Sequence, residues 1–472
     1  MTHPLFRYFY EISAIPRPSG KEEKIADYLE EFAKEHGLAV LRDAENNVLI
    51  RKSASAGFET APSVLLQGHT DMVCEKNAGT IHDFDTEGIR IIEDGDYLRA
   101  DGTTLGGDNG YAVAAMLSIL ADDSISHPAL ECLFTTGEEV GLDGMKAFDK
   151  SVLTSKMMIN LDSEEEKIAT VACAGGVRTD LTRKPIVAAV DGTVLRLTVS
   201  GLAGGHSGAS IHLGLANALK VTARLLTAVK KVTTVQTIEM VGGNKDNAIP
   251  RECDVIFAAK DAAVAENAIK SEAERIRETL IGEDNAFNVK IEHVETDAPA
   301  LSATDSDALL TLIRLLPCGV IRMSPNIAGL VETSSNTAIV RADASAIRVT
   351  ASSRSSAEAE LDDVMSVIDT AAAVTGFETN HHSRYPGWAF TPNSRLQPLY
   401  LETYRELFGT DAKIAGIHAG LECGLVKEVI PEMDIISIGP NMYDIHTPDE
   451  KLSISSSIRV YDLLVHLLAK LK

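Results

Sequence analysis

The chain has 472 residues, more than the roughly 250–300 at which one hydrophobic core stops growing, so at least two domains are expected. With 45% apolar and 24% charged residues, its balance is that of a folded protein and excludes a disordered or fibrous one. Acidic residues outnumber basic ones, 68 against 44, and the net charge of -24 excludes a broad surface for nucleic acid or anionic lipid while supplying carboxylates that can hold cations.

The first twenty residues, MTHPLFRYFYEISAIPRPSG, carry Arg, Glu and Pro and lack a basic flank ahead of a long apolar run, so no secretion signal is expected. No segment reaches the roughly 18 consecutive apolar residues of a membrane span. The cysteines Cys74, Cys132, Cys173, Cys253, Cys318 and Cys423 stand singly, without a C-x-x-C pair, and read as reduced thiols. A soluble, cytoplasmic protein is the expectation.

Residues 19–35 place apolar side chains at helical spacing behind a Ser-Gly start, which predicts an amphipathic helix. Short apolar runs, predicted as strands, recur at 64–67, 131–135, 157–161 and 435–438. The Ala-rich run 111–120 behind GGDNG predicts a buried helix leaving a Gly-rich turn. Strands alternating with helices imply an α/β layer with a mostly parallel central sheet, whose ligands sit outside the carboxyl ends of its strands.

The character of the chain changes near 191 and again near 385. Between them, alternating stretches at 193–200 and 253–260 are interleaved with helical patterns at 214–230 and 261–281; a second set follows, with helices at 305–316 and 358–374 and strands near 339 and 347. The predicted organisation is a catalytic domain made of residues 1–190 and 386–472, with an inserted α+β lid and dimerisation domain of two tandem β-α-β-like units at 191–385.

Five predicted strand ends carry groups able to do chemistry. LLQGHTDM ends with His69 and Asp71 two apart, so in extended backbone both project the same way and one can orient the other. GGDNG sets Asp108 at a strand-to-helix junction among glycines that let backbone approach a ligand, although a capping Asp is the ordinary reading. It is not a phosphate loop, lacking both G-x-x-x-x-G-K-[ST] and G-x-G-x-x-G. ECLFTTGEEVG ends in Glu138 and Glu139, adjacent carboxylates that need a cation or a proton when a buried strand delivers them together. MMINLDSEEE ends in Asp162, and IISIGPNMYDIHTPDE brings His446 in a polar loop.

Singly, each of these has an ordinary structural explanation; together they converge on one sheet edge. Mixed His and carboxylate donors suit zinc, cobalt or manganese, whereas calcium takes more oxygen. There are donors enough for two divalent ions bridged by one carboxylate, an arrangement that spaces them ~3.5–4 Å apart, holds a hydroxide and polarises a carbonyl.

The motifs GHTDM, GGDNG, TTGEEVG, INLDSEE, GLAGGHSG and the His446 loop, in this order, resemble the M20 metallopeptidases, and the double-length insert resembles their aminoacyl-histidine dipeptidase group. The resemblance covers essentially the whole chain. It implies hydrolysis of dipeptides, Xaa-His and others, by a homodimer with two metal ions. It makes Asp108 the bridging ligand, His69 and Asp162 ligands of one ion, Glu139 and His446 of the other, Glu138 the general base, and Asp71 the carboxylate that fixes the His69 tautomer. A cis peptide between Asp108 and Asn109 is also implied.

In the insert, the resemblance makes His206 of GGHSG a donor to the substrate carbonyl and places Asn247 near the substrate. Arg354 becomes the clamp on the substrate carboxylate, although Ser352 stands where the family usually has Asp. His418 and Glu422 of HAGLECG match a rim loop without an implied role. The competing expectations are a tripeptidase, carboxypeptidase or N-acyl amino acid deacylase of the same fold, and, from another class, a non-catalytic binding or assembly protein.

Overall fold

The computed structural model describes residues 3–280 and 282–472, and the chain divides into two compact units. The first comprises Met1–Ala172, Trp388–Gly416 and Leu421–Lys472; the second comprises Cys173–Gly387 and Ile417–Gly420.

The first unit is built on an eight-stranded sheet in the order Ala39–Arg42, Val48–Lys52, Leu130–Thr135, Val64–His69, Met157–Asn160, Asp434–Ser437, Ile168–Cys173, Lys413–Ile417. Its four middle strands, from Leu130–Thr135 to Asp434–Ser437, run parallel. The strands before them in the order pair antiparallel, as does Ile168–Cys173 after them. The three parallel strands that lead to His69, Glu138 and Asp162 are buried along their length, which explains why they read as continuous apolar runs rather than alternating ones. Parallel direction also brings their carboxyl ends to the same edge. The chain passes from those ends into His69, into Glu138 and Glu139, and into Asp162.

The helix Gly107–Ala121 crosses this core, with every residue from Asn109 to Leu120 buried. It carries apolar residues all round, as a helix enclosed on every side requires. A small antiparallel sheet, Met442–Tyr443, Lys451–Ser453, Tyr97–Ala100 and Ile91–Asp94, holds the late loop that bears His446.

The second unit is built on a nine-stranded sheet, antiparallel throughout, in the order Asn288–His293, Thr193–Ser200, Cys253–Ala259, Gln236–Gly242, Val331–Ala342, Ile347–Ser355, Gly175–Arg183, Glu378–Tyr385, with Gly319–Met323 alongside Val331–Ala342. The helices Ala218–Lys230, Ala262–Arg277, Ala303–Leu315 and Glu358–Thr375 contribute Leu225, Ile269, Leu309 and Ile368 to a single core with the sheet's Leu197, Phe257 and Val349. The two repeated β-α-β-like sets of the sequence thus share one sheet, joined where Gln236–Gly242 pairs with Val331–Ala342. The helix expected to reach 281 ends at Arg277, and position 281 lies outside the described residues. The division falls at Cys173 rather than near 191 because Gly175–Arg183 pairs with Ile347–Ser355 and Glu378–Tyr385.

Candidate metal centre

Asp108 receives a histidine on each of its two carboxylate oxygens. His69 Nε2 lies 3.1 Å from Oδ1, and His446 Nε2 lies 3.2 Å from Oδ2. His69 Nε2 is also 3.5 Å from Asp162 Oδ1, and His446 Nε2 is 3.0 Å from Glu139 Oε1. Two overlapping donor groups result, His69–Asp108–Asp162 and Asp108–Glu139–His446, each with ligand atoms within 4.8 Å of one another. A third such group is His69 with Glu138 and Glu139.

The two histidines are held differently. His69 is 1% exposed at the end of its strand, while the His446 side chain is 45% exposed on a loop where its φ is 61°. The Asp108–Asn109 peptide is cis. Gly106, φ 69°, turns the chain into that peptide, and a Cβ there would lie 2.5 Å from Arg17 Nη2.

Asp71, fully buried, ties the edge together. Its Oδ1 lies 3.3 Å from His69 Nδ1 and accepts from the Glu138 N–H at 3.1 Å; its Oδ2 accepts from the Glu139 N–H at 3.3 Å and from Ser19 Oγ at 2.8 Å. One side chain thereby orients the imidazole and fixes the backbone from which both glutamates project.

The electrostatics are those of carboxylates crowded in low dielectric. Burial pushes the Glu138 carboxyl well above the usual range, with His69 pulling it down and Asp162, Glu422 and Glu139 adding to the rise. Burial likewise holds Asp162 up to about 6. Hydrogen bonding to Asp108 and Glu139 raises His446 to about 11. Burial opposes protonation of His69, but Asp162, Asp108 and Asp71 outweigh it and hold its pKa well above the ordinary value. The cluster draws positive charge, which protons on the histidines or divalent cations can satisfy.

His206, Asn247 and Arg354 lie in the second unit. The short strand Gly205–His206 pairs with Ala248–Ile249, and the Ser207 N–H donates to the Asn247 carbonyl at 2.8 Å. His206 and Asn247 line a cavity of about 730 Å³. Arg354 is buried, donates from Nη1 to the Tyr385 hydroxyl at 3.0 Å, and leaves Nε without a partner. His418 bonds Ser334 Oγ through Nε2 at 2.7 Å; burial, Arg354 and His206 lower its pKa to about 4.

Sequence reasoning singled out Glu422 only as a rim-loop residue without a role, and passed over the buried polar rank to which it belongs beneath the candidate donors. Glu422 accepts hydrogen bonds from Gln67 Nε2 and from Thr135 Oγ1, the latter at 2.7 Å, and burial holds its carboxyl up to about 7. Asn160 donates to Gln67 Oε1 at 2.6 Å and accepts from the Asp162 N–H at 3.2 Å. It also overlooked Arg17 and Glu450. The available signal was positional: Gln67 and Asn160 each precede a donor by two residues, and polar residues within apolar strands need partners.

The model of peptidase family M20/M25/M40 matches residues 65–470. The chain is 39% identical to the cytosol non-specific dipeptidase of Escherichia coli, over 99% of this chain and 97% of that one. The crystal structure of aminoacylhistidine dipeptidase from Vibrio alginolyticus superposes with a TM-score of 0.93 at 35% identity, covering 98% of this chain and 96% of that one. An aminopeptidase of Bacillus cereus shares the fold at 15% identity, with a TM-score of 0.58 over 99% of this chain and 98% of that one. A donor cluster at the carboxyl ends of the parallel strands of a mixed sheet, set in a sequence matched almost end to end, places the chain in peptidase family M20/M25/M40.

Proposed function

We propose that this peptide hydrolase is a cytoplasmic metallo-dipeptidase that cleaves dipeptides, Xaa-His among them, with two divalent ions of the zinc, cobalt or manganese type, and that it works as a homodimer. Asp108 would hold both ions, His69 and Asp162 would complete one site, and Glu139 and His446 would complete the other. The observation that carries this reading is the pair of histidine Nε2 atoms facing the two oxygens of one carboxylate. The donor chemistry fits: two imidazoles and several carboxylates, with one imidazole already oriented from behind by Asp71. Relatives named as dipeptidases at 39% and 35% identity over nearly the full chain support the substrate class.

Divalent ions held by these residues would supply Lewis-acid polarisation of the scissile carbonyl and make a water more acidic. Glu138 takes a proton from the attacking water and delivers it to the leaving amine. Its buried setting, which favours the protonated form, suits the second of these steps. In the second unit, His206 is the proposed hydrogen-bond donor to the substrate carbonyl, Asn247 a substrate-binding residue, and Arg354 the fork that grips the terminal carboxylate, which would count the chain end.

Profiling hydrolysis over dipeptides, tripeptides and N-acyl amino acids tests the reading. Dipeptides, including Xaa-His, should have the highest kcat/KM. Equal or faster cleavage of tripeptides or N-acyl amino acids would replace it with one of the other activities of the fold.

A further inference from the structure

Glu450 sits four residues after His446 and is 2% exposed. Its carboxylate accepts a row of backbone N–H groups from the loop that carries Asp108: Leu105 at 2.8 Å and Gly106 at 3.0 Å on Oε2, Gly107 at 2.8 Å and Asp108 at 3.4 Å on Oε1. Successive N–H groups converging on one anion make a small concave cradle. Here the anion is supplied by the chain itself. A Cβ on Gly107 would lie 3.2 Å from Glu450 Oε1, so the loop closes tightly around the carboxylate.

Arg17 holds the same loop through its carbonyls. Its Nη2 donates to Gly106 O at 2.6 Å, and its Nη1 donates to Thr70 O at 2.8 Å and to Asp71 O at 3.3 Å. The Asp108 loop is therefore tied to the His69–Asp71 strand end by Arg17, and to the His446 loop by Glu450. These two ties differ in what else supports the ligand they serve. His69 is fixed by its strand and by Asp71, whereas His446 stands in a hairpin loop between Met442–Tyr443 and Lys451–Ser453, half exposed and with left-handed backbone at both Asp444 and His446. The residue that reaches inward from that loop is Glu450.

We infer that Glu450 is a positioning residue for one half of the centre: it docks the His446 loop onto the Asp108 loop, so that its loss costs the ion shared by Asp108, Glu139 and His446 before the ion shared by His69, Asp108 and Asp162. The inference rests on the two-ion reading above. Replacing the carboxylate by an amide turns one acceptor into an NH2 donor facing backbone donors, which empties half the cradle without changing side-chain volume.

The test is a Zn²⁺ titration of the chelator-stripped full-length protein against a competing chromophoric chelator, for the unaltered chain, Glu450→Gln and Glu450→Asp, with Co²⁺ absorption following each equivalent. The unaltered chain should bind two ions. Glu450→Gln should keep the first near its original affinity and bind the second about 10- to 100-fold more weakly, the range usual for a residue that orients metal ligands. Glu450→Asp, which keeps the charge on a shorter arm, should fall between. Unchanged affinity for the second ion, or equal weakening of both together with a lowered melting temperature, overturns the inference while leaving the two-ion reading intact. An unaltered chain that binds no ion overturns that reading and this inference with it. Should Glu450→Gln fail to fold, Glu450→Asp decides: a selectively weaker second ion supports the assignment, and an unchanged one refutes it.

Discussion

Glu138 and Glu139 are chain neighbours in different environments, in keeping with the different work proposed for them. Glu139 Oε1 faces His446 Nε2 at 3.0 Å, in the position of a ligand, while Glu138 is the carboxyl that burial drives toward the protonated form. Glu138→Gln is expected to bind its ions as the parent does and to lose roughly 10²- to 10⁴-fold in kcat, the span usual for general acid–base catalysis. Steady-state kinetics beside metal analysis would measure both, and near-normal turnover would remove Glu138 from the mechanism. Asp71→Asn replaces one of two acceptor oxygens by a donor, against His69 Nδ1 and two backbone N–H groups. Metal affinity should fall about 10- to 100-fold; an affinity equal to the parent's would leave Asp71 as scaffolding only.

These residues stood out in the sequence because His69, Glu138, Glu139 and Asp162 follow apolar runs and Asp108 precedes one, and a buried run flanked by charge is conspicuous. Arg17 and Glu450 were not legible. Their partners are backbone N–H and carbonyl groups of remote loops, and no spacing along the chain encodes which loop the fold will bring to a given carboxylate.

Among the elements, the strand Val64–His69 and the helix Gly107–Ala121 touch where Gly68 has no side chain. A Cβ at Gly68 would lie 2.4 Å from both Ala112 Cβ and Asn109 Oδ1. Gly68→Ala must push the helix start, with Asp108, away from His69. We expect a loss of about 1–3 kcal/mol in stability, in the range for overpacking a core, and weaker ion binding. Chemical denaturation and metal titration check the two halves, and a variant unaltered in both would contradict the packing described.

The apolar runs at 64–67 and 131–135 became strands of the parallel centre, and the predicted strand at 193–200 became Thr193–Ser200. The strand Gly175–Arg183 was harder to place. It follows directly on Ile168–Cys173, yet it pairs with strands that the sequence supplies some 170 to 200 residues later. Only long-range pairing, which local patterning does not record, assigns it to the second sheet.

For the molecule as a whole, acidity is concentrated into a use. In the ion-free chain His446 is raised to about 11, and so carries a proton at neutral pH that an incoming cation must displace. Ion uptake should therefore release protons, and affinity should rise with pH through neutrality toward about 11. Calorimetry in buffers of different ionisation enthalpy reads the proton count, and uptake without proton release would contradict the protonated histidine. The sign for folding is opposite: a pKa raised on folding stabilises the ion-free chain below the ordinary histidine range, and that contribution is lost as pH climbs through about 11. Among the described residues no helix is long and apolar enough to cross a membrane.

The most direct measurement is dipeptide hydrolysis followed through chelation and readdition, with bound metal counted at each stage. Two divalent ions per chain are expected, with activity on an Xaa-His dipeptide lost in step with their removal and restored by Zn²⁺, Co²⁺ or Mn²⁺. Undiminished cleavage by a chain stripped of its ions would contradict this expectation.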